Sequence, residues 1–290
     1  LGVSPNGGKE MPLRFFFRGL LAASVGLGLW GAVTARAQSV IHVDDNAPGD
    51  PAPGDPQIDN PNEDGSEGAP FDAIQEGIDA AIDGDEVIVA EGVYTGLGNR
   101  NLNFRGKAIT VRGAAGPDQC IIDCQGFARG AVFRNGETAD SVLEGLTIRR
   151  GIATGDLNIG AGILFERSSP TIHNCVIKEC VAELFQSAGA GVYCQNSDPI
   201  FIGCRIVNNL AIGFLSRGGG ATLESSDALF IDTVIADNQS EFAAGGIQIE
   251  QTSRPEFIHT RFEGNAALFG GAAACQSGSR PIFQSCIFRG

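Results

Sequence analysis

Six stretches decide the fold: ADSVLEGLTI (139–148), SSPTIHNCVI (168–177), SDPIFIGCRI (197–206), SDALFIDTVI (226–235), SRPEFIHTRF (253–262) and SRPIFQSCIF (279–288). Their starts are 29, 29, 29, 27 and 26 residues apart. In each complete unit a small-residue block then opens a second apolar segment: GAGILFE, GAGVYCQ, GGGATLE, AGGIQIE and GGAAACQ. Aligned, the units put like on like. One column reads Leu143, Ile172, Phe201, Phe230, Phe257, Phe283; a second Ile148, Ile177, Ile206, Ile235, Phe262, Phe288; a third Phe165, Cys194, Leu223, Ile249, Cys275. Short apolar segments of this period cannot bury their own faces, whereas coil stacked on coil makes one continuous core. The pattern therefore predicts an all-β fold, a parallel β-solenoid with two short strands per unit and rungs about 4.8 Å apart. A leucine-rich repeat would need regularly spaced leucines and a helical arc, which these units lack.

Upstream, PFDAIQEGIDAAIDGDEVIVAEGVYTG (70–96) places Phe71, Ile74, Ile78, Ala81 and Ile82 on one helical face. Pro70 suits the first helical position and Gly84 the residue just past the end. An amphipathic helix followed by the strand EVIVA has an apolar stripe to hide, and the open end of a solenoid is a place to hide it. Residues 69–96 are thus the expected N-terminal cap, within a solenoid domain over 69–290 whose repeats occupy 139–290. The last unit stops at Gly290, halfway round a coil, so the solenoid is expected to be truncated there with further coils or a terminal cap beyond.

Met11 precedes Arg14 and Arg18, the apolar run Gly19–Val33 and the small-x-small site Ala35, Arg36, Ala37. This is the plan of a secretory signal peptide over 11–37, with 1–10 lying upstream of it, and the apolar run is too short for a membrane span. The expected product is secreted, extracellular or at a cell surface, with the periplasm as an alternative compartment and no transmembrane span. The chain has 34 acidic and 20 basic residues, a net charge of −14, which leaves no basic face for nucleic acid. The acidity is concentrated early: residues 38–106 hold 15 acids and two bases. Residues 38–68, rich in Asp, Pro and Gly, read as a linker. Its Asp44, Asp45, Asp50 and Asp55 are the calcium candidates, although their spacing matches no EF-hand loop and a solvated acidic linker is the competing reading. No other cofactor is expected.

The helix-and-strand unit FDAIQEGIDAAIDGDEVIVAEGVYTG and the SxPxFxxCxF units with their downstream glycine blocks resemble right-handed β-helix proteins of the pectin-lyase-like superfamily, including secreted bacterial and planctomycete ones. FEGN (262–265) and GGAA (270–273) are also similar to the FxxN and GGAI repeats of chlamydial polymorphic outer-membrane proteins, GGAA departing from the second motif. The resemblance implies the fold without deciding catalysis. The NTD, GHG and RIK segments of polygalacturonases are absent, and the one DD, Asp44 and Asp45, lies outside the coils.

Three polar columns run through the units. Asn209, Asn238 and Asn265 share one, preceded by Gly151 and Cys180; Asn suits a left-handed turn, and its amide can bond its copies above and below. Cys175, Cys204 and Cys286 share another with Leu146, Thr233 and Thr260, which marks a small buried side chain rather than a ligand. Glu166, Gln195, Glu224, Glu250 and Gln276 form the third, the one place where chemistry suggests itself. In register, Glu224 and Glu250 would sit about 5 Å apart and Glu166 and Glu224 about 10 Å, bracketing the separations of retaining and inverting glycosidases. Glu166, Glu224 and Glu250 are therefore the catalytic candidates, against a solvated Glu/Gln stripe on an exposed strand.

Two functions follow. The favoured one is a non-catalytic binding, adhesion or structural scaffold whose partner is a polysaccharide or another cell-surface component. Inserts carrying Phe185, Phe214, Leu215 and Phe242 are its candidate contact surface, unless these side chains pack on the coil below. The alternative is a carbohydrate-active enzyme, whether polysaccharide lyase, glycoside hydrolase or epimerase.

Overall fold

The computed structural model describes residues 37–46, 62–153 and 158–290. All but the last residue of segment 11–37, read from the sequence as a signal peptide, lies outside them, as do residues 1–10, Asp50 and Asp55. Four parallel sheets carry the chain around each coil, of nine, eight, six and three strands. Every strand pair is parallel and in register, and the aligned columns are the rungs: Ile172 lies beside Leu143 and Phe201, and Phe230 beside Phe201 and Phe257. The chain is thus a parallel β-solenoid, with three or four strands per coil instead of the expected two. A third strand, such as Val181–Glu183 or Leu210–Ile212, follows the Cys/Asn column and forms the three-stranded sheet.

The inward columns stack as touching side chains. The Phe201 and Phe230 rings lie 4.7 Å apart and 3° from parallel, Phe230 and Phe257 4.9 Å and 14°, and Phe262 and Phe288 4.8 Å and 3°. Rungs spaced at about 4.8 Å bring identical aromatic side chains to stacking distance with no adjustment of the backbone. Phe201, Phe230, Phe257 and Phe262 are fully buried.

The asparagine column is a hydrogen-bonded ladder. Asn209 Nδ2 donates to Asn238 Oδ1 at 3.0 Å and to the Ile177 carbonyl at 3.0 Å. Asn238 Nδ2 repeats this with Asn265 Oδ1 and the Ile206 carbonyl. The left-handed residue is not the ladder asparagine but its predecessor: Asn208, Asp237 and Gly264 have φ of 56°, 54° and 57°. The ladder also explains the glycine block. A Cβ on Gly220 would lie 2.5 Å from the Gly246 carbonyl and 2.9 Å from Asn238 Nδ2. The unit-leading serines form a second ladder, with Ser168, Ser197 and Ser226 N–H groups donating to the next coil's serine hydroxyl at 3.2, 3.1 and 3.0 Å.

At the N-terminal end the structure departs from the sequence reading. Val40–Val43, inside the expected linker, is a strand paired with Glu86–Val89, so the solenoid starts before residue 69 and its coils precede residue 139. Alternating Val and Ile were masked there by the acidic segment that follows. Among the described residues, α-helix is limited to Ile74–Ala80, with one 3-10 turn at Leu97–Asn99. Its Ile74 and Ile78 enter the main core, whereas Ile82, assigned to the same apolar face, is 49% exposed because the chain has already turned extended at Ala81. Lys107 Nζ closes the helix end by donating to the Ile78, Asp79 and Ala81 carbonyls. Among the described residues no helix is long and apolar enough to cross a membrane.

Candidate functional site

The acidic column lies on the outward face of the six-stranded sheet, built by Ile163–Glu166, Val192–Gln195, Ala221–Glu224 and Ile247–Glu250. Alternation sends Cys194 and Leu223 into the core and their neighbours Gln195 and Glu224 outward. The register places Gln195 between Glu166 and Glu224, and Glu224 directly beside Glu250.

This outward face is closed to water at its middle coils. After the Gly/Cys/Asn column of successive coils the insert folds back across the sheet, and its residues Ile159, Ala188, Arg217, Ala243 and Phe269 bridge from coil to coil as a parallel row. Under that row Val132, Ile159, Leu164, Ala188 and Tyr193 make a small apolar cluster of their own. Glu224 and Glu250 are each only 5% exposed, while Glu166 is half-buried. The solvated stripe inferred from alternation is therefore corrected at Glu224 and Glu250, which the inserts cover, while Gln195 is half-buried like Glu166 and Gln276 is exposed.

Arg217, delivered by that covering row, joins the two buried carboxylates. Its guanidinium lies 3.2 Å from Glu224 Oε1 and 3.4 Å from Glu250 Oε2. Glu224 Oε2 accepts from Gln195 Nε2 at 3.4 Å and from Gln251 Nε2 at 3.3 Å. The Tyr193 hydroxyl also hydrogen-bonds Glu224, and burial, followed by the Glu224 charge, raises its pKa. Glu250 Oε1 and Gln248 Oε1 are buried with no donor in reach. Glu166 stands apart, 3.5 Å from the Arg134 guanidinium. One guanidinium between two adjacent carboxylates offsets their repulsion where water screens it poorly. A glycosidase pair needs instead an open space between acid and nucleophile for the sugar. Arg217 was not legible as part of this site, because its insert has no fixed position relative to the strands until the coils are stacked.

Of the calcium candidates, Asp44 and Asp45 follow the first strand, and their carboxylates accept from the Asn46 amide N–H and side-chain amide at 3.0 and 2.7 Å. The structure instead gathers carboxylate oxygens of Glu63, Asp72 and Glu76 within 4.8 Å of one another. Two of these carboxylates already accept backbone N–H groups, Glu63 from Asp72 and Glu76 from Ala73, each at 3.2 Å. The eight cysteines are free thiols, six of them buried. Burial pushes Cys124 and Cys204 up to about 12 and holds Cys175 and Cys194 well above the ordinary thiol value.

Fold and ladders together define the class, a parallel β-solenoid with stacked inward side chains and hydrogen-bonded turn asparagines. The family model for the right handed beta helix region matches residues 99–290, and the chain belongs to that family. The structure is similar to the crystal structure of pectate lyase Pel9A, with a TM-score of 0.49, 12% sequence identity, and 87% of this chain and 76% of that chain covered. A comparison with curated proteins finds no match.

Proposed function

We propose that this chain is a non-catalytic scaffold, secreted or held at a cell surface, that presents the side of its solenoid to a partner such as a polysaccharide. One observation carries this reading: Glu224 and Glu250, side by side on adjacent coils, are buried and bridged by Arg217. A general acid must reach the glycosidic oxygen and a nucleophile the anomeric carbon, and neither group is presented to solvent. The network's role is then to hold the inserts onto the sheet. The leader-like segment 11–37 supports export.

The alternative, a carbohydrate-active enzyme, rests on the same adjacent pair. Screening pectate, alginate, xylan and β-glucans with the wild type, Glu224→Gln and Glu250→Gln separates the two. The scaffold reading expects no turnover by any form, with any glycan binding unchanged by either substitution. Turnover by the wild type that either substitution abolishes would overturn it.

A further inference from the structure

Phe185, Phe214, Phe242 and Phe269 stand in a row down the outside of four successive coils, each carried by the insert that follows the Cys/Asn column. Successive ring centroids are 5.8, 6.4 and 5.3 Å apart, so the rings touch one another. Phe185 and Phe214 are not folded down onto the coil below, being 62 and 72% exposed, and Phe242 is half-buried between its neighbours. Leu184, 47% exposed, extends the ridge. Its backbone is fixed: Leu215 N–H donates to the Phe185 carbonyl and Phe269 N–H to the Phe242 carbonyl, each at 2.9 Å. With roughly 200 Å² for a fully exposed phenylalanine, the ridge offers on the order of 500 Å² of contiguous apolar surface. A contiguous apolar patch of that size is comparable to the largest on an ordinary monomer, and such patches are often functional.

The geometry narrows that partner. The first two ring pairs are 18° and 29° from parallel, so ring faces are turned largely toward one another along the axis, and edges point outward. Flat stacking of sugar rings on the aromatic faces is therefore disfavoured. The charges beside the ridge are acidic: Glu183 and Glu241 are exposed, and Glu241 Oε2 is positioned by the Gly213 N–H at 2.8 Å. The one basic side chain in the four inserts, Arg217, is committed to Glu224 and Glu250. A second copy would bring like charges together across the ridge, in a chain of net charge −14, and an anionic bilayer would be repelled in the same way.

We propose that the ridge of Phe185, Phe214, Phe242 and Phe269 docks a cationic amphipathic polypeptide, its apolar face on the rings and its basic rim against Glu183 and Glu241. This inference rests on the scaffold reading and gives that scaffold a partner class.

The test titrates the full chain into a dye-labelled helical peptide of Leu and Lys in an amphipathic pattern, read by fluorescence anisotropy. The controls are a scrambled peptide of the same composition and a version with Glu for Lys. The amphipathic Lys peptide is expected to bind at least tenfold tighter than either control. Phe185→Ser with Phe214→Ser should weaken binding at least tenfold while melting within a few degrees of wild type, because both rings are solvent-facing. Glu183→Gln with Glu241→Gln should flatten the salt dependence. Val93→Ser, an exposed apolar site that contributes no ring to the row, should change nothing. Equal binding of all peptides, an equal loss in Val93→Ser, or no loss in the Phe variant would overturn the proposal. So would tighter association with zwitterionic vesicles, or a concentration-dependent dimer in sedimentation that the Phe variant abolishes. Polysaccharide turnover in the preceding screen would instead sink the scaffold reading and leave the peptide result standing by itself.

Discussion

Asn238→Ala removes the middle rung of the asparagine ladder, and the structure sets what that costs. Asn238 is fully buried, and its amide makes four hydrogen bonds. Nδ2 donates to the Ile206 carbonyl at 2.8 Å and to Asn265 Oδ1 at 3.0 Å. Oδ1 accepts from Asn209 N and Asn209 Nδ2, both at 3.0 Å. Truncation leaves the Asn209 N–H and the Ile206 carbonyl buried without these partners. A net contribution of about 1 kcal/mol per bond, with the added penalty of stranded groups, gives a destabilisation of about 3–5 kcal/mol. Urea unfolding followed by far-ultraviolet circular dichroism should show the midpoint lowered at unchanged slope. A loss below about 1 kcal/mol for Asn238→Ala would refute the ladder as a source of stability.

In native protein, iodoacetamide at neutral pH should spare Cys120, Cys124, Cys175, Cys180, Cys194 and Cys204, all buried, until denaturant is added, as mapped by mass spectrometry. Rapid native labelling of Cys175 or Cys204 would contradict the packed column. Burial raises the Asp123 pKa, but Arg150, the Gln125 N–H and Arg149 outweigh it, so the carboxylate sits below its ordinary value. Its stabilisation is complete above the unfolded value of about 3.9 and is lost as pH falls through the folded one. The melting difference between wild type and Asp123→Asn should therefore be large at pH 7 and shrink below about pH 4. Gly203 has φ of 62° with nothing within 4 Å of where a Cβ would stand, so Gly203→Ala isolates backbone strain and should cost about 1 kcal/mol in the same urea assay.

The inward columns were legible because identical side chains recur at a near-constant spacing, and stacking is the one arrangement that buries them all. Phe201, Phe230 and Phe257 needed nothing further. The first coils were not legible, since Val87, Val111 and Leu143 share a column without the serine-led signature that marks later units. The unit-leading serines were visible only as markers, because their N–H to hydroxyl bonds cross between coils. The burial of Glu224 and Glu250 was hidden for a different reason. Alternation tells inside from outside of a coil, but an insert laid over the outer face breaks the equation of outside with solvent. The left-handed residue was misplaced by one, from Asn238 to Asp237, because a turn column and a ladder column adjacent in sequence look alike until the dihedral angles are known.

The most direct test of coil-over-coil stacking is a spin–spin distance between Glu144→Cys and Gln284→Cys, with Cys275 and Cys286 replaced by serine. These positions are 140 residues apart in sequence but share an outward column of the nine-stranded sheet, five rungs apart. Five rungs span roughly 24 Å, and one narrow distribution near that value, widened only by the label arms, is the predicted result. A broad distribution, or a peak beyond roughly 35 Å, would mean that the coils do not lie over one another as described.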